Sequence, residues 1–113
     1  MTTKTRDQLV DRALRKLMIV GSGQSPDAED QELVDGIVDA TLGDLQERNV
    51  VLIEDDEAIP ASVFEWVADC LADNAAADFG KPRDPQKVMY AENRLKKISS
   101  IPQTYETLRS EYF

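Results

Sequence analysis

The sequence predicts a mainly α protein, a small bundle of about four main helices with a short β-hairpin or extended segment between helices two and three. Three observations carry that expectation. Apolar residues recur at the helical period in four successive stretches. Glycine, serine or proline interrupts the pattern between one stretch and the next. Only one run, "VVLI" from Val50, is apolar and β-branched enough to read as a strand. The 113 residues fit one domain and leave no room for two ordinary ones.

Helix one is written in "TRDQLVDRALRKLM". Thr5 caps it, with Gln8 three residues on as the capping-box partner. Leu9, Ala13, Leu14 and Leu17 follow at helical spacing, and Val10 widens the stripe. Arg15 and Lys16 sit where the helix dipole favours positive charge. "GSGQS" stops it.

Ser25-Pro26 opens helix two as N-cap and first helical residue, and Asp27, Glu29 and Asp30 load the first turn with negative charge. Its buried stripe is predicted as Leu33, Ile37, Val38, Thr41, Leu42 and Leu45, in a helix running from about Pro26 to Arg48. Gly36 and Gly43 each cost roughly 1 kcal/mol relative to alanine and lie seven apart on one face, which calls for a close helix neighbour. "VVLI", the acidic turn "EDDE" and "AIP" form the excursion, which Pro60 closes.

Helix three is "ASVFEWVADCLADNAAADFG", with Phe64, Val67, Ala68, Leu71, Ala75 and Phe79 on the core face and Gly80 as the C′ residue. Asp84 and Pro85 then start helix four, which buries Val88, Ala91, Leu95 and Ile98. "SSIP" is expected to break it. The domain division is therefore a helical body over residues 1–98 and a tail over 99–113. Ile101, Tyr105, Leu108 and Tyr112 recur at helical spacing in that tail, and Phe113 ends the sequence. They read either as extra core or as a docking peptide, since tyrosine and phenylalanine anchor interfaces well. The preceding bases Lys87, Arg94, Lys96 and Lys97 read as ordinary surface lysines and arginine or as steering charge for an acidic partner.

Net charge is −9 and unevenly spread. Residues 21–80 hold sixteen acids against one base, Arg48, whereas residues 81–113 hold seven bases against four acids. The acidic middle argues against wrapping around DNA, because phosphate contacts need clustered lysine and arginine. Arg6, Arg12, Arg15 and Lys16 on helix one are too few to make a nucleic-acid-binding regulator the preferred reading. The longest apolar runs are too short to span a bilayer, and "MTTKTRDQLV" lacks the apolar segment of a secretory signal, so a soluble intracellular protein with no membrane contact is expected.

Catalytic chemistry finds little to work with. Histidine, the usual general base and commonest metal ligand, is absent. The lone Cys70, next to Asp69, reads as a small packing residue rather than a nucleophile. Two carboxylate rows stand out: Glu65, Asp69 and Asp73 on helix three, and Glu32, Asp35 and Asp39 on helix two. They read as solvated faces, as a functional acidic surface or, least readily, as a two-metal site. "EDDE" lacks calcium-loop spacing, and the Gly-x-Gly of "GSGQS" has no preceding strand. No cofactor is expected, nor an enzymatic activity.

"RALRKL", then "GSGQSPDAED", the long second helix and "IPASVFEWVADCLADNAAADFG" resemble, in order and spacing, the head–tail connector (adaptor) proteins of tailed bacteriophages and related gene-transfer particles. The resemblance covers roughly residues 4–98. Relatives often carry glycine where Met18 stands after "RKL", and an aromatic residue where "LQERN" closes helix two. The resemblance implies a helical, non-enzymatic protein assembled in the host cytoplasm into the virion neck. It implies a ring, usually of twelve subunits, beneath the portal protein, through which DNA passes without sequence-specific binding and onto which a stopper or tail protein docks. By position, the tail residues Ile101, Tyr105, Leu108, Tyr112 and Phe113 are the candidate portal contact. Glu65, Asp69 and Asp73 are candidate channel-facing acids, and Ala72 and Ala76 candidate subunit-interface residues. Trp66 is either a satellite core residue or an intersubunit anchor. The alternative is a small acidic helical regulator that binds a protein partner.

Overall fold

The computed structural model describes residues 2–112, with side chains from residue 2 to residue 99. Its elements are β1 (Thr3–Lys4), α1 (Arg6–Lys16), α2 (Ala28–Glu47), β2 (Ile59–Pro60), α3 (Ala61–Ala76), a 3-10 turn over Ala77–Phe79, and α4 (Pro85–Tyr112). The helical bundle is as expected. Helix α3 lies at its centre and packs against α1, α2 and α4. That position explains its composition. Val63, Phe64, Val67, Ala68, Cys70, Leu71, Ala72, Ala75 and Ala76 are all buried, and small side chains let three neighbours close on one helix.

Each helix end is built by local hydrogen bonding. The Thr5 capping box of α1 forms in full: Thr5 Oγ1 accepts from Gln8 N–H, and Gln8 Oε1 accepts from Thr5 N–H at 2.8 Å. Three helix C-termini close with paired bonds back to the last turn, around a residue in left-handed backbone. After α1, Met18 N–H donates to Arg15 O and Ile19 N–H to Leu14 O, both at 3.0 Å, with Met18 at φ 62°. After α2, Asn49 at φ 59° is flanked by Asn49 N–H to Gln46 O and Val50 N–H to Leu45 O. After the 3-10 turn, Gly80 at φ 67° holds the same place, with Lys81 N–H bonded to Ala76 O.

Helix α2 starts two residues later than expected. Asp27, in extended backbone, is the N-cap, and Ser25-Pro26 lie outside the helix. Arg15 reaches across from α1 and donates to the carbonyls of Gly21 and Gln24, holding the connecting loop in place ahead of the helix. The buried stripe is also rotated. Val34, Val38, Thr41 and Leu45 face inward, and Leu33 is exposed. Gly36 and Gly43 have open space around them, so the close neighbour expected there is not found among the described residues.

The segment between α2 and α3 is extended, but its strand is Ile59–Pro60 rather than "VVLI", and its partner is the N-terminus rather than a hairpin arm. Lys4 pairs with Ile59 and Thr3 with Pro60, antiparallel, and Ala61 N–H donates to Thr2 O at 3.1 Å. Val50 and Val51 bond back to Leu45 O and plug the core with their side chains, which leaves them no ladder to join.

Asp84 caps α4, its Oδ1 accepting from Lys87 N–H at 3.2 Å. The break expected at Ser99–Pro102 does not occur. The helix continues to Tyr112, absorbing the one backbone bond that Pro102 cannot donate. Ala91 and Leu95 are fully buried, Val88 and Ile98 pack beside them, and the helix then carries on past Ile98. The molecule is accordingly elongated, 54 × 28 × 22 Å.

Candidate interaction surface

The helix-three acid row lies beside α1 and the start of α4, and bases from both meet it. Arg12 grips Glu65 with Nε and Nη2, at 2.9–3.1 Å. Lys16 Nζ lies 3.2 Å from Glu65 and 2.9 Å from Asp69 Oδ1, in ionic contact with the latter rather than aligned for a hydrogen bond. Lys87 of α4 stands 3.8 Å from the same Asp69 oxygen. Asp73 accepts from Arg83 Nε at 2.9 Å and from Asp84 N–H at 2.8 Å, tying the α3–α4 turn together. The Arg12 hydrogen bonds, then Lys16, hold the Glu65 carboxyl below the usual range.

This placement corrects two expectations. Asp69 is only 8% exposed and the Asp73 side chain 9%, so these two belong to an internal ionic seam and not to an acidic face turned towards a channel, whereas the Glu65 side chain, 47% exposed, sits paired at the rim of that seam. A buried carboxylate needs a paired cation, and this seam supplies one to each. Ala72 and Ala76 are likewise buried inside their own chain, at 6% and 1% exposure, and present nothing to a neighbouring subunit. Both errors share one cause: α3 is covered on nearly every side.

Helix-two acids are divided. Arg6, at the start of α1, donates to Asp35 Oδ1, Asp39 Oδ1 and Asp56 Oδ2, each at 2.7 Å, and to Asp35 O at 2.9 Å. These bonds hold its guanidinium well above its ordinary pKa. Arg48 joins Asp44 to Glu92 of α4 in the same way. Asp27, Glu29, Asp30 and Glu32 have no ion-pair partner among the described residues. Glu29, Glu32, Leu33, Gly36, Ala40, Gly43 and Glu47 share the face of α2 turned away from Val34, Val38, Thr41 and Leu45.

Trp66 packs partly against the core, and Tyr90 of α4 meets its ring edge-to-face at 5.6 Å between centroids. The Arg94 guanidinium lies over the same indole, 5.7 Å from its centre. Tyr90 is 59% exposed and Met89 63%. Sequence reasoning named Trp66 and Arg94 separately and missed Tyr90. The available signal was the i, i+4 spacing of Tyr90 and Arg94, both off the Val88–Ala91–Leu95 stripe.

Cys70 is 4% exposed, and burial, followed by the charges of Glu92 and Asp69, pushes its thiol up to about 12. It is a packing residue with no thiolate to offer. Among the described residues no group of three or more carboxylate or cysteine side chains is placed to hold a metal ion, and no helix is long and apolar enough to cross a membrane. The tail side chains Ile101, Tyr105, Leu108, Tyr112 and Phe113 lie outside the residues whose side chains are described. Comparison with protein-family models, curated proteins and solved structures found no match to this chain.

Proposed function

We propose that this chain is a structural head–tail adaptor. In that reading it forms a ring, twelve-fold in the particle, beneath a portal protein in the virion neck, extends the DNA channel and offers a platform to a stopper or tail protein. The observation that carries the reading is α4. Its first half is bolted to the bundle by Val88, Ala91, Leu95 and Ile98, and it then runs on through Tyr112. That continuation is about 20 Å of helix at 1.5 Å per residue, an arm long enough to reach a neighbouring ring. Trp66, Tyr90 and Arg94 would equally serve a small regulator that binds one protein partner, and stoichiometry separates the two.

The test is native mass spectrometry of a portal ring with and without the full chain. The expected result is a portal ring carrying about one copy per portal subunit, lost when the chain is truncated after residue 98 while the far-ultraviolet signature of the bundle persists. A portal ring that takes up no protein overturns the adaptor reading. Undiminished attachment of the truncated chain overturns the assignment of the arm.

A further inference from the structure

We propose that the strip formed by Trp66, Tyr90 and Arg94 receives the outer face of α2 from a second copy of the chain, in a head-to-tail contact. The proposal deepens the ring reading and rests on it for closure: a heterologous contact closes into a ring only when its rotation allows.

The strip has the composition of an interface centre. Tryptophan, tyrosine and arginine are the residue types most enriched where binding energy concentrates. Here they are pre-assembled, Trp66 fixed against the core while Tyr90 and Arg94 stack on it from α4. Arg94 is exposed, lies over the indole and has no ion-pair partner among the described residues. Lys87, one helical turn from Tyr90, adds a second positive charge, its side chain 56% exposed.

The complementary surface is on the same molecule and makes no ion pair with its own strip among the described residues. Glu29, Glu32 and Glu47 carry unpaired negative charge along the outer face of α2. Beyond the exposed Leu33 that face is smooth as far as Glu47, with Gly36, Ala40 and Gly43 exposed. A Cβ built on Gly36 or Gly43 meets nothing, so aromatic rings can approach the helix backbone closely. One chain thus holds an exposed cationic-aromatic strip, in which Arg94 has no ion-pair partner and Lys87 reaches only the covered Asp69, and an unpaired acidic helix face, with no ion pair between the two among the described residues. Opposite potentials on two surfaces of one molecule favour head-to-tail association of copies and disfavour self-matching pairs. A net charge of −9 makes nucleic acid a poor alternative occupant of the strip.

The test exchanges the charges. Variant one is Lys87→Glu with Arg94→Glu, and variant two is Glu29→Lys with Glu32→Lys. Sedimentation at high protein concentration and low salt measures association of the full chain, with circular dichroism confirming that each variant is folded. The wild type should associate with concentration, each variant alone should associate about tenfold more weakly, and their equimolar mixture should recover to within about threefold of the wild type. Tyr90→Ala, which leaves the ionic seam intact, should also weaken association about tenfold and serves if variant one does not fold. A wild type that stays monomeric overturns the proposal, as does a mixture that fails to recover. Full association of Tyr90→Ala overturns it too. Variant one still forming complete rings on the portal refutes this contact while the adaptor reading stands.

Discussion

Replacing Arg6 with methionine keeps most of the aliphatic stem and removes the one cation shared by α1, α2 and the acidic turn. The Asp39 bond should contribute nothing measurable, since that side chain is 81% exposed. Asp35 and Asp56 are 47% and 33% exposed, and each pair contributes about 0.5–1 kcal/mol at such sites. The charge-assisted bond to Asp35 O adds about 1 kcal/mol. The expected loss is therefore about 2–3 kcal/mol, equivalent to a Tm lower by roughly 8–12 °C for a domain of this size. Thermal unfolding followed by circular dichroism reads it. Raising the salt should narrow the gap, because the carboxylates left without a cation repel one another and salt screens that repulsion. Asp56→Asn added to the Arg6→Met background should recover part of the loss. A Tm within about 2 °C of the wild type at low salt would refute the view that Arg6 locks these three segments.

Two further substitutions test other parts of the structure. Met18 occupies left-handed backbone at 84% exposure, so Met18→Gly removes steric cost and almost no packing; denaturant unfolding should show a gain of about 0.5–1 kcal/mol after the extra chain entropy of glycine is offset. Glu65 is held below its unfolded pKa by Arg12 and Lys16, so its contribution is present above the ordinary glutamate range and disappears as pH falls through the lowered folded value. Urea midpoints measured from neutral pH downward should therefore fall more steeply for the wild type than for Glu65→Gln, and the two curves should converge once the wild-type carboxyl is protonated. Parallel curves would contradict the pairing.

Much of the local structure was legible because its causes are local. The Thr5–Gln8 capping box, the Asp84 cap, Gly80 at its helix end and the Ala91–Leu95 stripe all depend on residues within a turn or two of one another. Misreadings came where two local signals competed. Leu33 and Val34 are equally apolar neighbours, and periodicity alone could not say which one faces α1 and α3. "VVLI" has strand propensity, but the carbonyl of Leu45 takes up the Val50 and Val51 donors first. Ser-Ser-Ile-Pro is a good breaker in isolation, yet one missing N–H does not end a helix already propagated through more than four turns.

Composition and periodicity alone settled the helical class, the number of main helices, the inert Cys70 and the excess of acid in the middle of the chain, since these follow from residue type and spacing. The partner of each acid followed only from the fold. Glu65, Asp69 and Asp73 lie four apart on one helix whether they face water or lysine, and it is the approach of α1 and α4 to α3 that covers Asp69 and Asp73 and pairs Glu65. The same approach brings Arg6 to Asp56 and Tyr90 to Trp66, pairs separated by many residues along the chain. Spacing along a helix determines which side chains share a face. What covers that face depends on long-range packing, and with it depends whether a charge remains available to a partner.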